Sequence, residues 1–134
     1  MIGRVTKLTI GDKLEAELEP VTRMDLIKYS GSSGDFNPIH TIDDEAKKAG
    51  LPGIIAHGMW TMGNLTKLFT PFYEEGFIQD FKIRFSGMVF LGDVLTLQAV
   101  VEEQTEEHVN FEVRVVNQDN KDVMKGSIRF LKTT

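Results

Sequence analysis

Asp35 and His40 stand five residues apart in the stretch Ser30-Gly31-Ser32-Ser33-Gly34-Asp35-Phe36-Asn37-Pro38-Ile39-His40, and another histidine follows in Ile55-Ala56-His57-Gly58-Met59. A carboxylate and an imidazole on a loop punctuated by Gly and Pro suit acid–base chemistry, because an imidazole titrates near neutral pH. Pro38 forbids a regular helix through the loop and biases Asn37 toward an extended conformation, so Asp35 and His40 are expected on a fixed turn. Lying on a loop rather than in the core, both are expected to be replaceable without loss of the fold. Asn37, ahead of a proline, has the position of an Asx-turn residue.

The chain has 134 residues and no cysteine, which removes disulfides, thiolate nucleophiles and Cys-based zinc sites together. His, carboxylates and hydroxyls are left to do chemistry. A net charge of −5 argues against nucleic acid as a partner. No apolar run approaches the roughly 20 residues that span a bilayer, and Met1–Lys7 lacks a secretory apolar segment, so a cytoplasmic protein of one domain, 1–134, is expected.

Other chemistries fail on spacing. Asp35-Phe36-Asn37 starts like a calcium loop, but His40 and Ala46 stand where Gly and the closing Glu belong. His40, His57 and His108 lack the spacing of common zinc motifs, and no metal is expected. Gly31-Ser32-Ser33-Gly34 is neither a phosphate loop nor a nucleophile elbow.

The elements that must position the loop are read from periodicity. Thr6–Glu19 is expected as one or two strands with a turn at Gly11-Asp12. Thr22 and Asp25 form a capping arrangement for a helix with Leu26, Ile27 and Tyr29 on its apolar face, stopped by Gly31. A short helix spans Asp43 to Ala49. Met59, Met62, Leu65, Leu68 and Phe69 have helical spacing up to Pro71 and predict a buried central helix. From Phe81 the period becomes two, in Phe81–Phe85, Leu95–Val101 and Val109–Val115, and a last strand covers Met124–Leu131. The economical architecture is an α+β hot-dog fold, a curved antiparallel β-sheet wrapped around a central α-helix. Such a sheet leaves an edge strand unpaired, and its pairing across a two-fold axis predicts a homodimer or a pseudo-symmetric heterodimer.

The segment Tyr29–His40, with Gly34-Asp35-Phe36-Asn37-Pro38-Ile39-His40 at its centre, resembles the signature of the MaoC-like dehydratases. That family includes the (R)-specific enoyl-CoA hydratases and the (3R)-hydroxyacyl-ACP dehydratases. Ile55–Met59 with Thr61-Met62-Gly63, and Arg84-Phe85 with Met88-Val89 and Gly92-Asp93, match in the expected order. The resemblance implies reversible addition of water to a trans-2-enoyl thioester of CoA or acyl carrier protein, with no cofactor. It makes Asp35 the base that polarises the water and His40 the partner that moves a proton at the substrate α-carbon. It also gives Asn37 the task of holding Asp35 or the water. Gly58 is expected at the start of the central helix, where its free N–H is an oxyanion donor for the thioester carbonyl; a second reading has it permit close packing of helix on sheet. His57 stands as a possible supporting residue, and Thr66 is expected to satisfy itself on the preceding turn. Two other functions share this fold. A hot-dog thioesterase that places a carboxylate on the central helix is disfavoured, since Gly58 through Tyr73 contains no Asp or Glu. A non-catalytic acyl-binding subunit of a heterodimer would lack Asp35 or His40, and both are present.

Overall fold

The structure, a computed structural model, describes residues 4–133. Met1–Gly3, where the reading for a secretory segment begins, and Thr134 lie outside the described residues. The opening segment differs from the expected strands: Val5–Lys7 is one 3-10 turn, and only Lys13–Glu17 is strand, β1. The reason lies in Gln104, whose side-chain amide donates to the carbonyls of Val5 and Leu8 at 3.0 and 2.8 Å and supplies partners that a sheet neighbour would otherwise provide.

Helix α1 spans Arg23–Ser33 and starts with the expected capping box: Thr22 Oγ1 accepts from the Asp25 amide at 3.1 Å, and the Asp25 carboxylate accepts from the Thr22 amide at 2.9 Å. It runs through Gly31 and stops at Gly34, where φ of 77° supplies the left-handed cap that only glycine adopts cheaply. Of the expected apolar face, Leu26 is buried while Ile27 is exposed. Pro38–His40 forms a 3-10 turn, and α2 follows as Asp43–Lys48. The central helix α3, Gly58–Leu65, is shorter than the apolar spacing suggests and continues as 3-10 turns at Thr66–Leu68 and Thr70–Phe72. Pro71 has no N–H to extend the helix, and Thr66 Oγ1 donates back to the Gly63 carbonyl at 2.6 Å, so the regular ladder ends there.

The period-two stretches become β2 (Gly76–Phe85), β3 (Thr96–Gln104), β4 (His108–Val116) and β5 (Asp122–Lys132). All pairs are antiparallel, in the order β1-β3-β4-β5-β2. Leu97, Ala99 and Val101 of β3 and Val109, Phe111, Val113 and Val115 of β4 are buried on one face. Against that face pack Leu65, Leu68, Phe69 and Phe72, with the Phe69 ring edge-on to Phe111 at 5.0 Å. Each such buried side chain contributes about 1.5–3 kcal/mol, so the sheet and the helix stabilise each other. This is the hot-dog fold. No helix among the described residues is long and apolar enough to cross a membrane.

Strand β2 lies tightly on β5 because two glycines give way. A Cβ on Gly76 would collide with the carbonyl of Leu131, and one on Gly126 with the carbonyl of Lys82. Backbone rather than a flexible side chain blocks both, so Gly126→Ala is expected to destabilise the protein by about 3 kcal/mol. A lowered urea midpoint checks this; an unchanged midpoint would show that β2 moves freely.

Candidate active site

The end of α1 and the 3-10 turn bring the acid–base residues together. Asp35 follows the Gly34 cap, its amide donating to Ser33 Oγ at 3.1 Å. One carboxylate oxygen of Asp35, Oδ1, accepts from the Asn37 amide at 3.1 Å, which leaves Oδ2 facing His40. The side-chain oxygen of Asn37 accepts from the Ile39 amide at 3.2 Å and caps the 3-10 turn. Asn37 therefore holds Asp35 through its backbone, and its side chain serves as the Asx-turn residue. Arg23 ties the start of α1 to this region, donating to the Thr41 carbonyl at 2.9 Å and to Asp43 at 2.8 Å.

His40 is buried, 8% exposed, contrary to the expectation that both partners sit clear of the core. Its Nδ1 lies 2.7 Å from the Ile55 carbonyl, which can only accept, so Nδ1 carries a proton; in the neutral ring Nε2 then presents a lone pair. That lone pair is 3.9 Å from Asp35 Oδ2, while the Asp35 side chain is half exposed. Two acceptors at this separation leave room for one water donating about 2.8 Å to each. The Ile55 carbonyl is itself fixed by tertiary contacts: Ile55 bridges Phe90, and the Ala56 amide donates to the Val89 carbonyl at 2.8 Å. The turn that carries Val89 and Phe90 is held by buried Asp93, which accepts from the Phe90 amide at 2.8 Å and from Gln118 at 2.9 Å.

His57, 2% exposed, joins both members of the pair. Its ring stacks on His40 with centroids 3.8 Å apart and planes 21° apart. Its Nε2 is 3.2 Å from the Asp35 carbonyl and 3.1 Å from Ser30 Oγ, and Tyr29 meets the ring edge-on at 4.8 Å. Burial holds its pKa below the ordinary histidine value, helped by nearby His40 and opposed by the Asp35 carbonyl and carboxylate. Asp35, His40 and His57 place one possible ligand atom each within 4.8 Å of one another. These atoms do not form a metal cage, because imidazole lone pairs lie in the ring planes, the two planes are nearly parallel, and His57 Nε2 carries a hydrogen toward a carbonyl.

Gly58 is the first residue of α3, and no side chain caps that terminus. Its amide is one of those a helix leaves without an internal partner. A Cβ there would stand 2.9 Å from the Phe85 ring of β2, so the close approach that glycine permits in this structure is that of Phe85. Beside it lies a cavity of about 170 Å³ whose walls include Ile55, Gly58, Thr61, Phe85 and Met88. Ile55 is thus shared between that cavity and the His40 hydrogen bond.

Residues 5–123 match the family described as MaoC like domain. The chain belongs to the MaoC-like domain family. It is 37% identical over 83 residues to the peroxisomal hydratase-dehydrogenase-epimerase of Saccharomyces cerevisiae, covering 62% of this chain and 9% of that protein. To the fatty acid synthase subunit beta of Aspergillus oryzae it is 41% identical over 78 residues, covering 56% of this chain and 4% of that protein. The chain thus spans less than a tenth of the length of these two relatives. In structure it resembles the unliganded R-hydratase PhaJ1 from Pseudomonas aeruginosa with a TM-score of 0.86 and 28% identity, over 94% of this chain and 83% of that one.

Within this MaoC-like domain the sequence brings out Asp35, His40 and Gly58 as expected positions, but not the connections among them. Ser30 reads as a polar helix residue and Ile55 as plain core. The only signal for His57 is its place beside Gly58 in a matching block.

Proposed function

We propose that this MaoC-like domain is a hydro-lyase that interconverts a trans-2-enoyl thioester and a (3R)-3-hydroxyacyl thioester, carried by CoA or acyl carrier protein. The observation that carries this reading is the His40 ring, held at Nδ1 by the Ile55 carbonyl so that Nε2 faces Asp35 Oδ2 at 3.9 Å. Water held by both acceptors and polarised by the Asp35 carboxylate attacks the β-carbon, and His40 Nε2 takes its proton as the C–O bond forms. Charge moves onto the thioester oxygen, where the Gly58 N–H at the positive end of α3 stabilises it. The imidazolium of His40 then returns that proton to the α-carbon. One proton enters the Asp35–His40 pair and one leaves it, so the pair returns to its starting state and the titration belongs to both residues together.

The names of the relatives, a hydratase-dehydrogenase-epimerase and an R-hydratase, support the same reaction class. The outer edge of β2, ten residues long at the end of the sheet and bearing half-exposed Phe77 and Phe85, is the surface assigned to a homodimer. The test is the conjugated absorbance of crotonyl-CoA on addition of the protein. Loss of the band without release of free thiol is the expected result; thiol release would replace this reading with a thioesterase, and no change with crotonyl-CoA or a longer enoyl thioester on either carrier would remove it.

A further inference from the structure

We propose that His57 is a positioning residue that holds Asp35 and His40 in register, acting as the neutral Nε2–H tautomer. The inference rests on the hydro-lyase reading of the site. Asp35 and His40 reach the site from different supports: Asp35 from the loop after the Gly34 cap, His40 from a 3-10 turn anchored on the Ile55 carbonyl. The loop links them through Asn37, whose amide donates to Asp35 Oδ1 and whose carbonyl accepts from the His40 amide, but Oδ2 and Nε2, 3.9 Å apart, make no direct hydrogen bond. His57 contacts both supports at once, by its ring on the His40 ring and by its Nε2–H to the Asp35 main chain.

The tautomer follows from the partners. A carbonyl only accepts, so Nε2 carries the hydrogen and shares it between the Asp35 carbonyl and Ser30 Oγ. Nδ1 is then a bare lone pair, buried and without a hydrogen-bond partner among the described residues. Protonating it would bury a charge without a partner, directly beside the ring that must itself become cationic during turnover. The neutral ring keeps that event open to His40. It also accounts for burying a polar group in an incompletely satisfied state, since the stack leaves no room to turn the ring toward a second partner. A displacement of about 1 Å in such a pair costs about a hundredfold in rate. His57 touches neither water nor thioester in this scheme; it acts through the two residues that do.

Two variants separate its contacts. His57→Gln keeps an N–H donor near the position of Nε2 and removes the ring; His57→Phe keeps a flat buried ring on His40 and removes the donor. With crotonyl-CoA hydration as the assay, kcat is expected to fall in the order wild type, Gln, Phe, with Phe at least tenfold below wild type and KM within about twofold for both. A packing role predicts the reverse order, because Phe restores the buried ring and Gln does not; that order, or unchanged kcat in both variants, overturns the proposal. The wild-type protein supplies a readout independent of activity and of variant folding. Long-range 15N–1H NMR at pH 7 is expected to show His57 neutral and protonated on Nε2, opposite to His40, which is protonated on Nδ1. A charged His57 or an Nδ1–H tautomer overturns the proposal, even should the wild-type protein fail to hydrate any enoyl thioester, an outcome that would instead remove the hydro-lyase reading.

Discussion

Asp35→Asn is expected to lower enoyl-thioester hydration by about 10²–10⁴-fold while leaving the thermal midpoint near that of the wild type. The asparagine oxygen still accepts from the Asn37 amide, the contact that shapes the loop, so the backbone has no reason to move. Its amide nitrogen, however, replaces Oδ2, the atom that faces His40. An N–H₂ there removes both the carboxylate that polarises the water and the acceptor that holds it. His40 needs a more careful replacement, because it is buried and bonded to Ile55; truncation to Ala would leave that carbonyl unsatisfied at a cost of about 1–3 kcal/mol. His40→Asn keeps a donor near the Nδ1 position and deletes Nε2, and a similar loss of kcat is expected for it. Crotonyl-CoA kinetics alongside thermal melts check both, and near-normal turnover in either variant would dismiss the acid–base pair.

Gly58→Pro is expected to reduce kcat by about a hundredfold, and Gly58→Ala by only a few-fold. The comparison works because Gly58 is the first helical position, where proline is well accepted, and because His57 before it has φ −62° and ψ 134°, a conformation suited to a pre-proline residue. Both variants push carbon toward the Phe85 ring, which stands 2.9 Å from an added Cβ and is half exposed, so it can swing away in either case. Only proline removes the N–H. Measured kcat and melting midpoints for the pair therefore separate the oxyanion donor from the packing of α3 against β2. Equal losses in the two variants would assign Gly58 to packing alone.

Much of the fold was legible in the chain because burial leaves a period. The alternation in β3 to β5 places Leu97, Phe111 and Val113 on the buried face, and the Thr22 and Asp25 pair marks the start of α1. Boundaries were less legible. Gly31 is a poor helix residue yet stays inside α1, since about 1 kcal/mol of propensity is outweighed by the continued packing and by a better cap at Gly34. Thr6 and Lys7, at the start of the expected strand, lie in a turn because Gln104, about a hundred residues away in sequence, bonds the carbonyls of Val5 and Leu8 on either side of them. The candidate site divides in the same way. Asn37 next to Pro38 announces a local turn, and the turn is there, but the hold on Asp35 comes from a backbone amide that no residue type can signal.

The sequence by itself determined which chemical groups exist and which local turns carry them: a carboxylate and an imidazole on a constrained loop, a glycine at a helix start, no thiol, and a central helix without a carboxylate. These are matters of composition, short-range sterics and hydrophobic period, and they act within a few residues. Tertiary structure alone decided the protonation geometry of the pair. The Ile55 carbonyl, oriented by its bridge to Phe90, selects the tautomer of His40, and His57, brought from before α3, lies against both His40 and the Asp35 main chain. Such contacts join segments separated by 15–22 residues or more, and their directions follow from packing rather than from residue type.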